Sequence, residues 1–269
     1  MLSLRNGPQI IRTPRHSFKW AAELLWSLSA HRIGLRYKET LFGFGWIFLQ
    51  PVALTVIFNY IQRIAQISSG SVPYPLFSAT GLVAWGLTAL VVSQSTTCIT
   101  GYAVILKRVA LPRILLPMSL VIAVLADFCV MAVMLIGLFL YYSFSIHWTA
   151  LWIFPLLSLH LTFLFGLACL VSLATIFLRD IGHATSSLIQ LWFFASPVFY
   201  PSSMVPEKFR ALAQWNPMSG FIESYRSVLL LGTLPPMNLL GPTLLVTAFT
   251  FLIGVICFSK LRGVITDAL

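Results

Sequence analysis

The sequence predicts an all-α polytopic membrane protein with six transmembrane helices, an N-terminal amphipathic interface helix and a re-entrant outer hairpin between spans five and six. Three observations carry this prediction. Only 9% of the 269 residues are charged, whereas 58% are hydrophobic. The charges fall between apolar stretches long enough to cross a bilayer, for which a helix needs about 20 mostly apolar residues. Lysine and arginine also crowd into alternate connections, the pattern that fixes the orientation of multispanning proteins. One membrane domain over 1–269 is expected, because no stretch outside the spans is long enough for a soluble core.

The first expected element is a helix over 18–35. Lys19, Glu23, Ser27 and His31 recur every four residues and form one polar stripe, while Phe18, Leu24, Leu25, Leu28 and Leu35 occupy the opposite arc. Such a helix lies in the membrane interface, where Trp20 and Trp26 suit the headgroup depth, or packs on the end of the bundle. The residues ahead of it are not a signal peptide, since Arg12, Arg15 and Lys19 interrupt any apolar core.

The six spans are expected over 41–61, 76–98, 114–142, 151–178, 184–200 and 239–258, the fifth of them short. Span one carries Pro51, which removes a backbone donor and is tolerated where neighbouring helices cover the freed carbonyl. This level should therefore face protein. Between spans two and three, the loop 101–113 is basic, punctuated by proline and unusually apolar at Val104, Ile105, Leu106 and Val109. A short apolar helix with charges at its end looks like a docking element.

Between spans five and six, the stretch 201–231 is too apolar for a free loop. Asn216-Pro217 is a helix-start signal between two helix-compatible arms, 206–215 and 218–231. A re-entrant hairpin fits, provided its turn is covered by protein or faces a cavity. Arg226, if it points inward, should find Glu223 at i−3 or a polar cavity.

The net charge of +10 is read as topology and not as nucleic-acid binding. Arg5, Arg12, Arg15, Lys19, Arg32, Arg36 and Lys38 precede span one, and Lys107, Arg108 and Arg113 join spans two and three. Arg179 follows span four, and Lys260 and Arg262 follow span six. The opposite side has Arg63, Lys208, Arg210 and Arg226. Both termini are accordingly expected in the cytoplasm.

Several chemistries lack their motifs. The sequence has no GxxxxGK[ST] phosphate loop, GxSxG elbow, HExxH or dinucleotide fingerprint, so ATP hydrolysis is expected on another subunit. No metal site is expected, since the five histidines are scattered. Cys98, Cys129, Cys169 and Cys257 lack CxxC spacing and read as packing residues. Asp127 is the one clear ionisable residue at mid-span, read as hydrogen-bonded between helices, held protonated, or a proton relay. Arg179-Asp180, at the end of span four, reads as a local ion pair or as a second docking contact. No internal repeat is visible, unlike many secondary transporters.

Taken in order, these landmarks resemble the membrane subunit of ABC-type polysaccharide exporters, the group that exports O-antigen, capsule and teichoic acid precursors. The matching pieces are Arg36-Tyr37-Lys38-x-Thr40 with Gly43, Trp46 and Pro51; Leu106-Lys107-Arg108-Val109-x-x-Pro112-Arg113 with Leu116-Pro117; Arg179-Asp180; Gln190; Ser196-Pro197-Val198-x-Tyr200-Pro201; Val205-Pro206; Asn216-Pro217; and Arg226. Ala110 and Leu111 depart from the Lys-Val-aromatic-Pro ending of that group.

The resemblance implies a bacterial inner-membrane homodimer that docks two copies of a nucleotide-binding subunit, with ATP and Mg held by that partner. It implies a substrate glycan linked through pyrophosphate to a polyprenyl lipid, most specifically O-antigen. Docking would fall to Ile105, Leu106, Lys107, Arg108, Pro112, Arg113, Arg179 and Asp180. The substrate path or gate would involve Arg36, Tyr37, Lys38, Trp46, Ser196, Pro197, Tyr200, Asn216, Pro217 and Arg226. The abundant aromatic residues, 14% of the chain, would form interfacial belts or line a glycan path. The alternatives are an ABC permease for capsule, teichoic acid, drugs or other lipids, a membrane-embedded enzyme acting on a lipid-linked sugar, and an ion-coupled carrier.

Overall fold

The computed structural model describes residues 18–37, 43, 45–108, 111–178 and 180–261. The expectations for Lys38 and Arg179, and for the side chains of Tyr37 and Arg108, lie outside what it describes. The helices are α1 (Phe18–Tyr37), α2 (Gly45–Ala65), α3 (Tyr74–Ser95), α4 (Ala103–Arg108), α5 (Leu115–Tyr141), α6 (Ile153–Phe177), α7 (Asp180–Phe194), α8 (Glu207–Trp215), α9 (Pro217–Arg226) and α10 (Met237–Leu261).

Among the described residues, five helices are long and apolar enough to cross a membrane: α2, α3, α5, α10 and α6 with its leading turn. This corrects the expectation of six. The segment expected as span five is instead α7, 15 residues long. At 1.5 Å per residue it reaches roughly 22 Å, short of the hydrocarbon thickness. Its end is set by Ser196-Pro197, where proline has no N–H to continue the helix. The chain then runs on without regular helix through Phe199 and Tyr200.

At the centre is α3, buried along most of its length and packed against α2, α5, α6, α7 and α9. Leu76, Leu87 and Val91 are fully enclosed. By contrast, α2 buries one narrow stripe, Pro51, Thr55 and Phe58. Pro51 thus faces protein as expected, and the Thr55 hydroxyl donates to its carbonyl at 2.7 Å.

The most extensive helix pairing joins α6 to α10. It depends on two glycines, since a Cβ at Gly254 would lie 2.5 Å from the Gly166 carbonyl oxygen. Without a hydrophobic drive between helices in lipid, such close backbone approach supplies the packing.

A helix is present over Phe18–Tyr37, and its inward side joins part of the expected apolar arc, Leu28 packed on the core with Leu24 and Leu25 half-buried, to a polar edge. Lys19, Glu23, Ser27 and His31 are exposed, as the stripe predicted. Phe18 and Leu35 are exposed as well, whereas Ser29 is buried and Arg32 half-buried against α5. The helix therefore packs on the bundle through Leu28 and a polar edge. The cysteines are free, with Cys98 and Cys169 packed inside and Cys129 exposed on α5.

Candidate functional site

The hairpin enters the bundle. The segment 201–204 leads to α8, whose residues are all at least partly exposed, and α8 leads to the Asn216-Pro217 turn. From that turn α9 runs back, buried along most of its length against α3, α6 and α10. The depth of the turn is fixed by Met218, whose sulfur accepts from Thr88 Oγ1 at 3.2 Å in the second half of α3.

A backbone turn at that depth needs internal partners, and Asn216 supplies them. Its Oδ1 accepts from the Met218 N–H at 3.1 Å and from Trp192 Nε1 at 2.9 Å. Its Nδ2 donates to the Ala195 carbonyl at 3.1 Å and to Ser196 Oγ at 3.0 Å. Thus Ser196-Pro197 and Asn216-Pro217, 20 residues apart in sequence, form one hydrogen-bonded knot.

Arg226 closes the other end of α9. It is 2% exposed, yet its donors are matched. Nη1 donates to the Pro197 carbonyl at 2.7 Å and to Glu223 Oε1 at 3.2 Å; Nη2 donates to the Val198 carbonyl at 2.6 Å, and Nε to that of Phe77 at 3.3 Å. The guanidinium lies 3.5 Å over the Phe77 ring. Only a planar fork can serve diverging carbonyls and a carboxylate together. Glu223, which also accepts from the Ser202 N–H at 3.3 Å, is the i−3 partner the sequence suggested. Gly81 makes room, since a Cβ there would meet the Val198 carbonyl oxygen at 2.5 Å.

A third fastening was not foreseen. His160 of α6, fully buried, shares a 2.8 Å hydrogen bond with Thr88 and stacks on Phe221 at 4.3 Å. The only signal in the sequence was a histidine alone in an apolar span.

Outside α9 lies an open cleft of about 890 Å³, between α8, the ends of α2 and α7, and the chain at Phe199 and Tyr200. Its walls include Trp192, Phe194, Phe199, Tyr200, Phe209 and Trp215. Of the residues expected on a path or gate, Tyr200, Asn216 and Pro217 line this cleft. Ser196, Pro197 and Arg226 are buried behind it. Trp46 is half exposed near the start of α2, away from the group.

The basic end gathers the other candidates. Arg36 on α1 pairs with the carboxylate of Asp127, fully buried in α5, and donates to Gln94 Oε1 of α3 at 2.8 Å. Asp127 is therefore tied between helices, the first of the roles considered for it. Arg32, one turn earlier, donates to Ser119 Oγ at 3.1 Å and to the Cys98 carbonyl at 3.1 Å.

The expected docking loop does form a short helix, α4. Val104 and Ile105 are exposed there, at 66% and 45%, whereas Leu106 is 6% exposed and packs in the core. Lys107 is exposed, and Pro112 and Arg113 are half-buried. Asp180 is exposed in the first turn of α7, where a negative charge suits the helix dipole.

Residues 23–230 match the ABC-2 type transporter family. The chain belongs to that family. This ABC-2 chain is similar to an O-antigen export system permease protein RfbA of Klebsiella pneumoniae, 29% identical over 253 residues, which cover 92% of this chain and 95% of the relative. A second Klebsiella pneumoniae protein of the same name is 29% identical over 224 residues, covering 82% and 85%. One from Myxococcus xanthus is 30% identical over 223 residues, covering 81% and 84%. The ABC-2 chain is a multi-pass membrane transport subunit and not the ATPase, so its work depends on an ATPase partner.

Proposed function

We propose that two copies of this ABC-2 permease form the path for ATP-driven export of a polysaccharide carried on polyprenyl pyrophosphate, most specifically O-antigen. The observation that carries this reading is near full-length similarity to proteins named as O-antigen export permeases. The aromatic cleft beside the hairpin supports it, because ring faces pack against the apolar faces of sugars as readily as against lipid.

In this reading the chain resides in the bacterial inner membrane with both termini and the basic end in the cytoplasm. Two ATPase subunits dock on α4 through Val104, Ile105 and Lys107. The hairpin of α8 and α9 gates the outer mouth, with α9 as its fixed post and α8 as its exposed arm. Asp180 offers a second contact to the ATPase at the basic end.

The test is removal of this chain from its host. Surface polysaccharide should disappear while the lipid-linked glycan accumulates inside, and the restored gene should reverse both. Unchanged surface polysaccharide would overturn the reading, and loss of capsule or teichoic acid alone would reassign its substrate.

A further inference from the structure

At the seat of α9, counting protons fixes the direction of each hydrogen bond. Thr88 Oγ1 lies between Met218 Sδ at 3.2 Å and His160 Nε2 at 2.8 Å. A thioether carries no proton, so the single hydroxyl proton of Thr88 goes to the sulfur. His160 Nε2 must then carry a proton and donate it to Thr88. The other ring nitrogen, Nδ1, stands 3.5 Å from the Tyr225 hydroxyl.

Thr88, His160 and Met218 have no exposed surface, and Tyr225 is 3% exposed. Among the described residues the polar partners of the imidazole are two hydroxyls, and no ion pair reaches it. A buried ring without a countercharge is neutral. Nδ1 is therefore an acceptor, and the Tyr225 hydroxyl donates to it. The four groups form a chain with one direction, from Tyr225 through His160 and Thr88 to Met218.

This chain meets α9 at both of its ends. Met218 stands in the first turn, beside the re-entrant Asn216-Pro217 corner, and Tyr225 in the last turn, next to Arg226. Between them Phe221 stacks on the same imidazole. The spacing i, i+3, i+7 puts all three on one face of the helix. Apolar contact alone would let that face slide, whereas a fully satisfied buried network specifies one arrangement. We propose that His160, as the Nε2–H tautomer, is the positioning residue that seats α9, reaching the turn through Thr88 and the helix end through Tyr225. This inference rests on the reading of the hairpin as the outer gate, of which α9 is the fixed arm.

Two measurements on the full complex with its ATPase in lipid nanodiscs test it. Nitrogen NMR spectra of isotope-labelled imidazoles, native minus His160→Gln, should show His160 with a protonated Nε2 and a bare Nδ1. A bare Nε2, or protons on both nitrogens, overturns the proposal without recourse to any weakened variant.

The second measurement is the reactivity of Ile222→Cys, on enclosed α9, toward an impermeant thiol reagent in the nucleotide-free complex, with Cys129→Ala and Cys257→Ala as background. Thr88→Val keeps the shape of the side chain but strands the Nε2 proton. It should speed labelling about tenfold, the scale of one buried donor left unpaired. Thr88→Ser restores the hydroxyl and should keep labelling slow. The buried native Cys98 and Cys169 should stay unreactive throughout, which separates an unseated α9 from an unfolding bundle. Unchanged labelling of Ile222→Cys in Thr88→Val overturns the proposal, and so does labelling of Cys98 and Cys169 together with it. Hairpin labelling that ignores nucleotide in the native complex defeats the gate reading instead, whatever tautomer His160 shows.

Discussion

At the scale of single residues, the chain places its costliest groups where irregular backbone needs them. Arg226 is an interior cation whose partners are mainly carbonyls left free by the broken chain after α7, with Glu223 supplying the countercharge. It serves the turn in the way backbone N–H groups would serve it in a continuous helix. Arg226→Lys keeps the charge but cannot serve the carbonyls of Phe77, Pro197 and Val198 together. We expect it to destabilise the protein by roughly 1–3 kcal/mol, the range for leaving a buried hydrogen-bonding group unsatisfied. The measurement is the thermal unfolding midpoint in detergent, and an unchanged midpoint would remove Arg226 from its place as the pin of α9. The same logic explains Asn216, where a single amide meets four partners.

At the scale of elements, α4 shows how six residues divide into two jobs. Val104 and Ile105 face outward and Leu106 faces the core, although all three are adjacent and apolar. A helix turns about 100° per residue, so the third of three adjacent residues can enter the core while the first two stay exposed. Val104→Asp with Ile105→Asp should abolish copurification with the ATPase while leaving the yield of folded permease within about twofold, since surface changes typically cost under 0.5 kcal/mol. Leu106→Asp should instead reduce that yield by burying an unpaired carboxylate. Normal copurification of the first variant would refute α4 as the docking element. The two arms of the hairpin contrast in the same way: α9 is bolted to α3, α6 and α10, while α8 shows its residues to the cleft or to the surroundings.

At the scale of the whole molecule, that contrast predicts which part of the hairpin responds to nucleotide. In the complex, cysteines at Lys208, Phe209 and Leu212 should react with a membrane-impermeant reagent, and their rates should change when the ATPase is trapped. Cysteines at Met218 and Ile222, enclosed among α3, α6 and α10, should stay unreactive in both states. Equal labelling along 207–222, insensitive to nucleotide, would leave only a solvated loop. The expected contrast follows from packing, because close-packed interiors switch between discrete arrangements and do not deform smoothly.

By itself the sequence determined the class of the protein, the course of five of the six expected spans and the two helical arms that precede the last of them. These follow from local quantities: the length of apolar runs, the clustering of Lys and Arg, and proline and asparagine at the turns. Glu223 was legible as the partner of Arg226 because three residues on one helix are neighbours wherever that helix lies. Other features depended on which distant segments meet. Leu106 pointing inward, α7 ending after 15 residues, the polar edge of α1 and the pairing of Arg36 with Asp127, 91 residues apart, were decided by the tertiary structure. In hydrocarbon every polar group must find its partner inside the protein, so the fold chose among the charges that the sequence merely supplied.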